Sequence, residues 1–297
     1  MAKFSVLAGV ALAVVAGSAF AADLPSRKAP PPVYVPPAPS FTWTGLYGGV
    51  NIGYAFGNGG NETGAFTYAG QVIPGFTAAW SAPHDLNGVT GGGQVGYNYQ
   101  FSPWLVVGVE ADIQAADINS QRNFFGPGTN PAAPFSPLND HVAAVNTAKS
   151  VDWWGTVRGR VGVTLPSWPN LLIYGTGGFA YGQVDHTVSV ADMFVNAGVT
   201  QIGRGKYFNT NTGWTAGGGV EWSPLSFPAW SLKVEYLYTD LGSTTIPLAG
   251  VLTAGPVAPA ANWYGSHTSP TQFHSVRAGL NWHFNPFAAS APVLAKY

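Results

Sequence analysis

Hydrophobic and polar residues alternate with a period of two in eight segments of the chain. The segments span residues 43–57, 90–101, 105–116, 152–165, 171–183, 212–222, 230–240 and 273–284. Strict alternation of this kind is typical of β-strands whose two faces meet different environments. None of the 24 prolines falls inside these spans, as expected because proline cannot donate to a sheet ladder. The pattern therefore predicts an all-β protein with eight strands.

Every charge in the middle of these segments lies on the polar face. In segment 105–116, for example, Val107 and Val109 share one face, while Glu110 and Asp112 share the other. The pattern gives eight charges on the polar faces: Glu110, Asp112, Arg158, Arg160, Glu221, Lys233, Glu235 and Arg277. Four are acidic and four are basic, so we expect them to pair with one another.

Two architectures produce such alternation: a soluble sandwich and an outer-membrane barrel. The polar faces consist mainly of Gly, Ser, Thr, Asn and Gln, which suits a narrow interior better than a solvated surface. Aromatic residues gather at the segment ends, as in the two girdles of a membrane barrel. Short and long connections also alternate along the chain, as in bacterial barrels. These features favour an eight-stranded antiparallel up-and-down transmembrane β-barrel with long extracellular loops.

Composition narrows the range of functions. Only 8% of the residues are charged, and the chain has 12 basic and 13 acidic residues. Because there is no excess of positive charge to bind phosphates, we expect no nucleic-acid partner. The absence of cysteine excludes disulfides and thiolate metal sites. The six histidines, at 84, 141, 186, 267, 274 and 283, show no metal-ligand spacing, so the sequence predicts neither a metal site nor another cofactor.

The chain termini differ from the alternating region. Residues 1–21 predict a signal peptide, because Lys3 precedes an apolar stretch that ends in Ala19-Phe20-Ala21. Seven prolines between residues 22 and 40 indicate an extended periplasmic linker over 22–41. The barrel is predicted over 42–284, and 285–297 form a C-terminal extension.

Several motifs resemble a known family. They are Trp43-Thr44-Gly45-Leu46-Tyr47-Gly48-Gly49, Tyr174-Gly175-Thr176-Gly177-Gly178-Phe179-Ala180-Tyr181-Gly182, Gly213-Trp214-Thr215-Ala216-Gly217-Gly218-Gly219 and Lys233-Val234-Glu235-Tyr236-Leu237-Tyr238. With the proline-rich arm, they are similar to the small outer-membrane immunogenic or porin-family β-barrels of alphaproteobacteria. The resemblance covers nearly the whole mature chain and implies an OmpA-like barrel in the Gram-negative outer membrane.

An eight-stranded barrel is just wide enough to be filled by its own side chains. We therefore interpret the eight inward charges as a network that plugs the lumen, and the protein as a structural surface barrel that supports the envelope, with adhesion as a further role. The alternative is a narrow porin-like channel for small solutes. Ser266, His267, His274 and Ser275 occur without a nucleophile-elbow motif, so we expect no enzyme. The expected partners are outer-membrane lipid, lipopolysaccharide and the barrel-assembly machinery; the oligomeric state stays open.

Overall fold

The computed structural model describes residues 41–57, 60–68, 77–129, 141–194, 200–251 and 262–284. The predicted signal peptide, almost all of the linker and the C-terminal extension lie outside the described residues. Within the described ranges, no helix has the length and hydropathy needed to cross a membrane.

Ten antiparallel strands make up the described chain. They are β1 (Gly45–Phe56), β2 (Asn61–Tyr68), β3 (Thr77–Pro83), β4 (Asn87–Ser102), β5 (Leu105–Thr129), β6 (His141–Leu165), β7 (Trp168–Phe194), β8 (Thr200–Trp222), β9 (Trp230–Val251) and β10 (Asn262–His283). β1 pairs with both β4 and β10, so β1 and β4 to β10 close into a ring. The predicted eight-stranded up-and-down barrel is confirmed.

The structure differs from the sequence prediction in the long connections. β5 to β10 contain 22 to 27 residues each, about twice the 9–11 that cross a bilayer. The first long connection forms the additional hairpin β2–β3. β2 pairs with β10, as in Thr63↔Thr268, and β3 pairs with β5, as in Ala78↔Gly128. Much of what alternation predicted as loop is therefore a sheet that extends the barrel beyond the membrane.

The polarity of the two faces reverses along the long strands. In the lower part of β7 the outward side chains are apolar, as at Ile173 and Phe179, which are about half exposed. Above Tyr181 the outward positions include Asp185 and Thr187, whereas the inward positions include Val184 and Val188. An apolar exterior suits lipid and a polar exterior suits water, so the reversal marks the outer boundary of the membrane. The part of the barrel beyond it is called the extracellular extension below.

Aromatic side chains border the lipid-facing band. Those at the short-turn end are exposed and include Trp104, Trp168, Trp222, Trp230 and Trp282. Those at the other end include Tyr54, Phe56, Phe179 and Trp214. From Trp230 to Tyr238, β9 runs nine residues, which matches the strand length needed to cross a bilayer. The short turns lie on the periplasmic side in this layout.

The wall of the extracellular extension is interrupted between β8 and β9. These strands pair only from Trp214↔Asp240 down to Trp222↔Leu232. Just above, β9 has a bulge against β10, and Gly242 there adopts a φ of +77°, a conformation that favours glycine. No ladder joins residues 200–213 of β8 to residues 241–251 of β9. This interruption is called the seam.

Candidate functional site

The barrel interior is filled by alternating apolar and polar layers. The layer nearest the periplasm consists of Trp43, Val106, Leu172 and Tyr174, all buried. The Trp43 indole Nε1 donates a hydrogen bond of 2.9 Å to the carbonyl of Pro169. Trp43 lies just before the start of β1 and reaches Pro169 near the start of β7. Its side chain therefore covers the periplasmic end of the barrel.

The second layer contains all eight charges that alternation placed on the inner face. Each of these eight residues is buried, with at most 5% of its surface exposed. Strands β5, β6, β8, β9 and β10 contribute them, so the layer crosses the lumen from wall to wall. Four carboxylates and four cationic groups occupy it, which balances its formal charge.

Arg158 contacts three carboxylates of this layer. Its Nη2 lies 2.6 Å from Glu110 Oε1 and 3.0 Å from Asp112 Oδ2, and its Nη1 lies 2.9 Å from Glu235 Oε1. Glu110 is its partner in the β5–β6 register, whereas Glu235 reaches it across the lumen from β9. The structure thus brings Arg158 together with both acids of β5 that the sequence placed beside it, and with a third.

The other bases complete the network. Arg160 Nη2 lies 2.7 Å from Glu221 Oε2, and Lys233 Nζ lies 2.9 Å from both oxygens of Glu110. Arg277 pairs with Asp112 at 3.0 Å and with Glu235 at 2.5 Å. Each carboxylate in the layer therefore contacts at least one base, as a buried charge requires.

Two tyrosines belong to this network, although the alternation pattern did not single them out. The Tyr47 hydroxyl donates to Glu110 at 2.7 Å and accepts from Arg160 at 2.8 Å. Tyr174 donates to Glu235 at 2.9 Å, and the Arg160 guanidinium lies 3.9 Å from its ring centroid. Gly96 leaves room for the Tyr47 hydroxyl, because a Cβ at Gly96 would collide with it.

A third, apolar layer lies above the charges. It contains Trp154 and Phe273, whose rings meet edge to face at 5.3 Å, and the other residues are Ala55, Leu86, Ile118, Val151, Ala180, Val184, Leu237 and Leu241. All are essentially inaccessible to solvent. This layer lies at the outer boundary of the membrane, above the charge network.

A second polar cluster occupies the interior of the extracellular extension. His84 Nδ1 lies 2.9 Å from Glu62 Oε1, His186 Nε2 lies 3.9 Å from the same oxygen, and His267 Nε2 lies 3.7 Å from Glu62 Oε2. Ser269 Oγ bonds both Glu62 Oε1 at 3.2 Å and the Lys149 ammonium at 2.9 Å. The sequence predicted no cluster of histidines, because these residues are far apart in the chain and reach the cluster from different elements.

Burial and charge shift the pKa values of this cluster. Burial opposes ionisation of Glu62, but the adjacent His84 and His267 lower its pKa to about 2. Burial lowers the pKa of His186 to about 3 and that of His267 to about 4, and the Lys149 charge acts in the same direction on both. Burial also lowers the pKa of Lys149 to about 7, against the attraction of Glu62. At neutral pH the cluster thus contains a carboxylate beside the neutral imidazoles of His186 and His267.

Another apolar layer covers this cluster. It contains Trp80, Ala143, Val145, Val188, Val190, Ile246 and Leu248. The described interior therefore alternates between apolar and polar layers from the periplasmic end outwards. Such stacking fills a narrow barrel, and it places apolar side chains on both sides of each polar layer.

Comparison with known proteins identifies the family. The family model for the outer membrane protein β-barrel domain matches residues 9–284. The chain belongs to this family. It is 32% identical over 282 residues to the 31 kDa outer-membrane immunogenic protein of Brucella melitensis biotype 1, covering 95% of this chain and all of that protein. These matches confirm the predicted family and the Gram-negative outer membrane as its location.

More distant relatives share the same kind of name. The 25 kDa outer-membrane immunogenic protein of Brucella abortus biovar 1 is 27% identical over 84% of this chain and 89% of its own length. Among solved structures, the outer membrane protein OprG from Pseudomonas aeruginosa aligns with a TM-score of 0.35 at 13% identity, over 81% of this chain and 97% of its own.

Proposed function

We propose that this outer-membrane protein is a closed barrel that reinforces the envelope and presents its extracellular extension at the cell surface. The layered interior is the main observation that supports a closed barrel. A solute on a path along the axis meets Trp43, then the balanced charges, then Trp154 and Phe273, and then a further polar and a further apolar layer. An eight-stranded barrel has little space beyond its own side chains, which supports a plug over a pore.

The outer surface supports the proposed partners. The lipid-facing band is apolar, with Val161 and Val234 each more than half exposed, and this suits acyl chains of lipid and lipopolysaccharide. We propose that the barrel-assembly machinery inserts the chain through β10, the last described strand. The name of the Brucella relatives, outer-membrane immunogenic protein, is in keeping with display of the extension to the outside.

The arrangement near the outer end of β10 supports a role without catalysis. Ser266 is exposed whereas His267 points inward, and Ser275 is buried whereas His274 lies on the outer face against Phe56. A nucleophilic serine needs a histidine within hydrogen-bond reach, and these neighbours in sequence face opposite sides of the wall. An assay for release of fatty acid from phospholipid or lipid A tests this directly, and activity that disappears on mutation of these residues would contradict it.

Planar-bilayer conductance of the purified protein tests the plug. We expect no stable channel from the wild type under conditions in which a general porin conducts. A reproducible single-channel conductance from the wild-type protein would favour the narrow channel instead. A deletion strain provides the second measurement: we expect greater sensitivity to detergent, restored by the wild-type gene. Normal resistance in the deletion strain would contradict an envelope-supporting role.

A further inference from the structure

Three imidazoles and one carboxylate meet inside the extracellular extension. Glu62 lies on β2, His84 follows β3, His186 lies on β7 and His267 on β10. All four residues are buried, with at most 1% of each exposed. One ligand atom from each of Glu62, His186 and His267 lies within 4.8 Å of the other two.

We propose that Glu62, His186 and His267 bind a divalent transition-metal ion, with Zn²⁺ as the best fit. Two histidines and one glutamate form a known type of zinc ligand set that leaves a fourth position open. Ligand atoms around tetrahedral zinc lie about 3.3 Å apart, given bonds of about 2.0 Å. His186 Nε2 lies 3.9 Å from Glu62 Oε1, and His267 Nε2 lies 3.7 Å from Glu62 Oε2. One ligand atom of each residue lies within 4.8 Å of the others, so side-chain rotation has to bring them closer by up to about 1.5 Å to reach the tetrahedral spacing.

The free imidazole nitrogens support this assignment independently. Among the described residues, neither nitrogen of His186 has a hydrogen-bond partner, and His267 Nε2 has none either. A buried polar atom without a partner is costly, and such atoms in a native protein call for an unseen water or ion. A metal ion between His186 Nε2 and His267 Nε2 would satisfy one nitrogen of each ring.

Two neighbouring side chains affect binding of the ion: His84 favours it and Lys149 opposes it. His84 Nδ1, 2.9 Å from Glu62 Oε1, is placed to orient the carboxylate as outer partners of metal ligands do. Lys149 opposes a cation, because its ammonium is linked to Glu62 through the Ser269 hydroxyl. Replacing Lys149 by methionine should therefore tighten metal binding.

Trp80 sets the tautomer of one ligand. Its indole Nε1 donates a hydrogen bond of 3.1 Å to His267 Nδ1, so the neutral imidazole carries its proton on Nε2. Metal binding at Nε2 moves that proton to Nδ1, which breaks the bond from Trp80. The Trp80→Phe substitution removes this competing bond and should tighten Zn²⁺ binding, a result that a purely structural role of the histidines does not predict.

The position of the seam gives a bound ion an effect on the extracellular extension. His186 lies on β7, which pairs with β8, and His267 lies on β10, which pairs with β9. The two ligands thus stand on opposite sides of the interruption between β8 and β9. Across this interruption β8 and β9 meet through side-chain contacts, such as the hydrogen bond of 3.3 Å from Asn211 Nδ2 to the Leu241 carbonyl, and a bound ion would join the two sides more firmly.

The experiment uses the full-length mature protein without a polyhistidine tag, folded in lipid and stripped of metal with a chelator. Zn²⁺ is titrated by calorimetry, and Co²⁺ is added as a spectroscopic probe of tetrahedral nitrogen and oxygen ligands. We expect one tight Zn²⁺ site, no comparable binding of Mg²⁺ or Ca²⁺, which prefer oxygen ligands, and increased hydrogen-exchange protection of residues 203–212 and 241–250 on loading.

Variants separate this site from incidental binding. His186→Gln and His267→Gln should each weaken binding by more than the roughly 10–100-fold that loss of an outer partner costs. The matched control, His274→Gln on the outer face of β10, should leave it unchanged. If His186→Gln fails to fold, the tighter binding of Trp80→Phe and the exchange protection of the wild type still decide the question. Zn²⁺ binding that survives the two ligand substitutions, or no site in the wild type, would overturn the proposal.

Discussion

Arg158 provides the sharpest test of the charge network. It makes three ion pairs and accounts for one of four cationic groups that balance four carboxylates. Arg158→Met retains much of the aliphatic volume and leaves three bases against four acids. Breaking a buried pair generally costs about 3–5 kcal/mol.

The magnitude follows from what each acid retains. Asp112 and Glu235 both keep Arg277, and Glu110 keeps Lys233 at 2.9 Å. No carboxylate is left without a base, so we expect the lower end of the range, about 3 kcal/mol. The measurement is the free energy of unfolding in lipid vesicles by urea titration, followed by tryptophan fluorescence and by the mobility shift of folded barrels on gels.

Two double variants separate local pairing from overall charge. Arg158→Met with Glu110→Gln restores the charge balance at the contact itself, and we expect a coupling energy of about 1–3 kcal/mol. Arg158→Met with Glu221→Gln restores the same balance without a direct contact, because Glu221 pairs with Arg160 instead, so its coupling energy should be clearly smaller than that of the Glu110 pair. Wild-type stability in Arg158→Met, or equal coupling in both double variants, would refute the reasoning.

Three further predictions concern the faces and ends of the barrel. Val234→Arg should destabilise the barrel by about 2–4 kcal/mol, because it places a charge at mid-membrane depth, and equal folding of this variant into vesicles would contradict the lipid-facing assignment. In a chain without cysteine, Thr187→Cys should react with an impermeant thiol reagent on intact cells while Val188→Cys should not; the reverse pattern would mean that the faces are exchanged. Trp43→Ala should cost about 3–5 kcal/mol of unfolding free energy yet leave the protein non-conducting, since the charge and apolar layers above remain; a conductance gained by this change alone would identify Trp43 as the main barrier.

The sequence alone determined which way each side chain points in the membrane-spanning part. A strand has a period of two, so the inward parity of Lys233 and the outward parity of Val234 follow from alternation. The structure gives exposures of 2% and 57% for these residues. The pairing of Arg158 with Glu110 was also predictable, because consecutive antiparallel strands place their inward charges on adjacent walls.

The extent of the sheet was less accessible to sequence reasoning. Alternation continues above Tyr181, but the apolar parity changes from the outer to the inner face there. A strand prediction that requires the apolar residues to stay on one face ends the strand at this point and assigns the residues beyond it to a loop. The exchange of parity is the signal that could have revealed both the extracellular extension and the boundary of the membrane.

The tertiary structure alone decided which distant residues meet. Alternation specifies a face but not a height along the barrel axis, since height depends on the stagger between strands that closes the ring. Glu62, His84, His186 and His267 therefore gave no ligand spacing in the sequence, although the fold brings them to one level. The same stagger aligns Trp43, the charges and the Trp154 layer, and so determines that the lumen is filled.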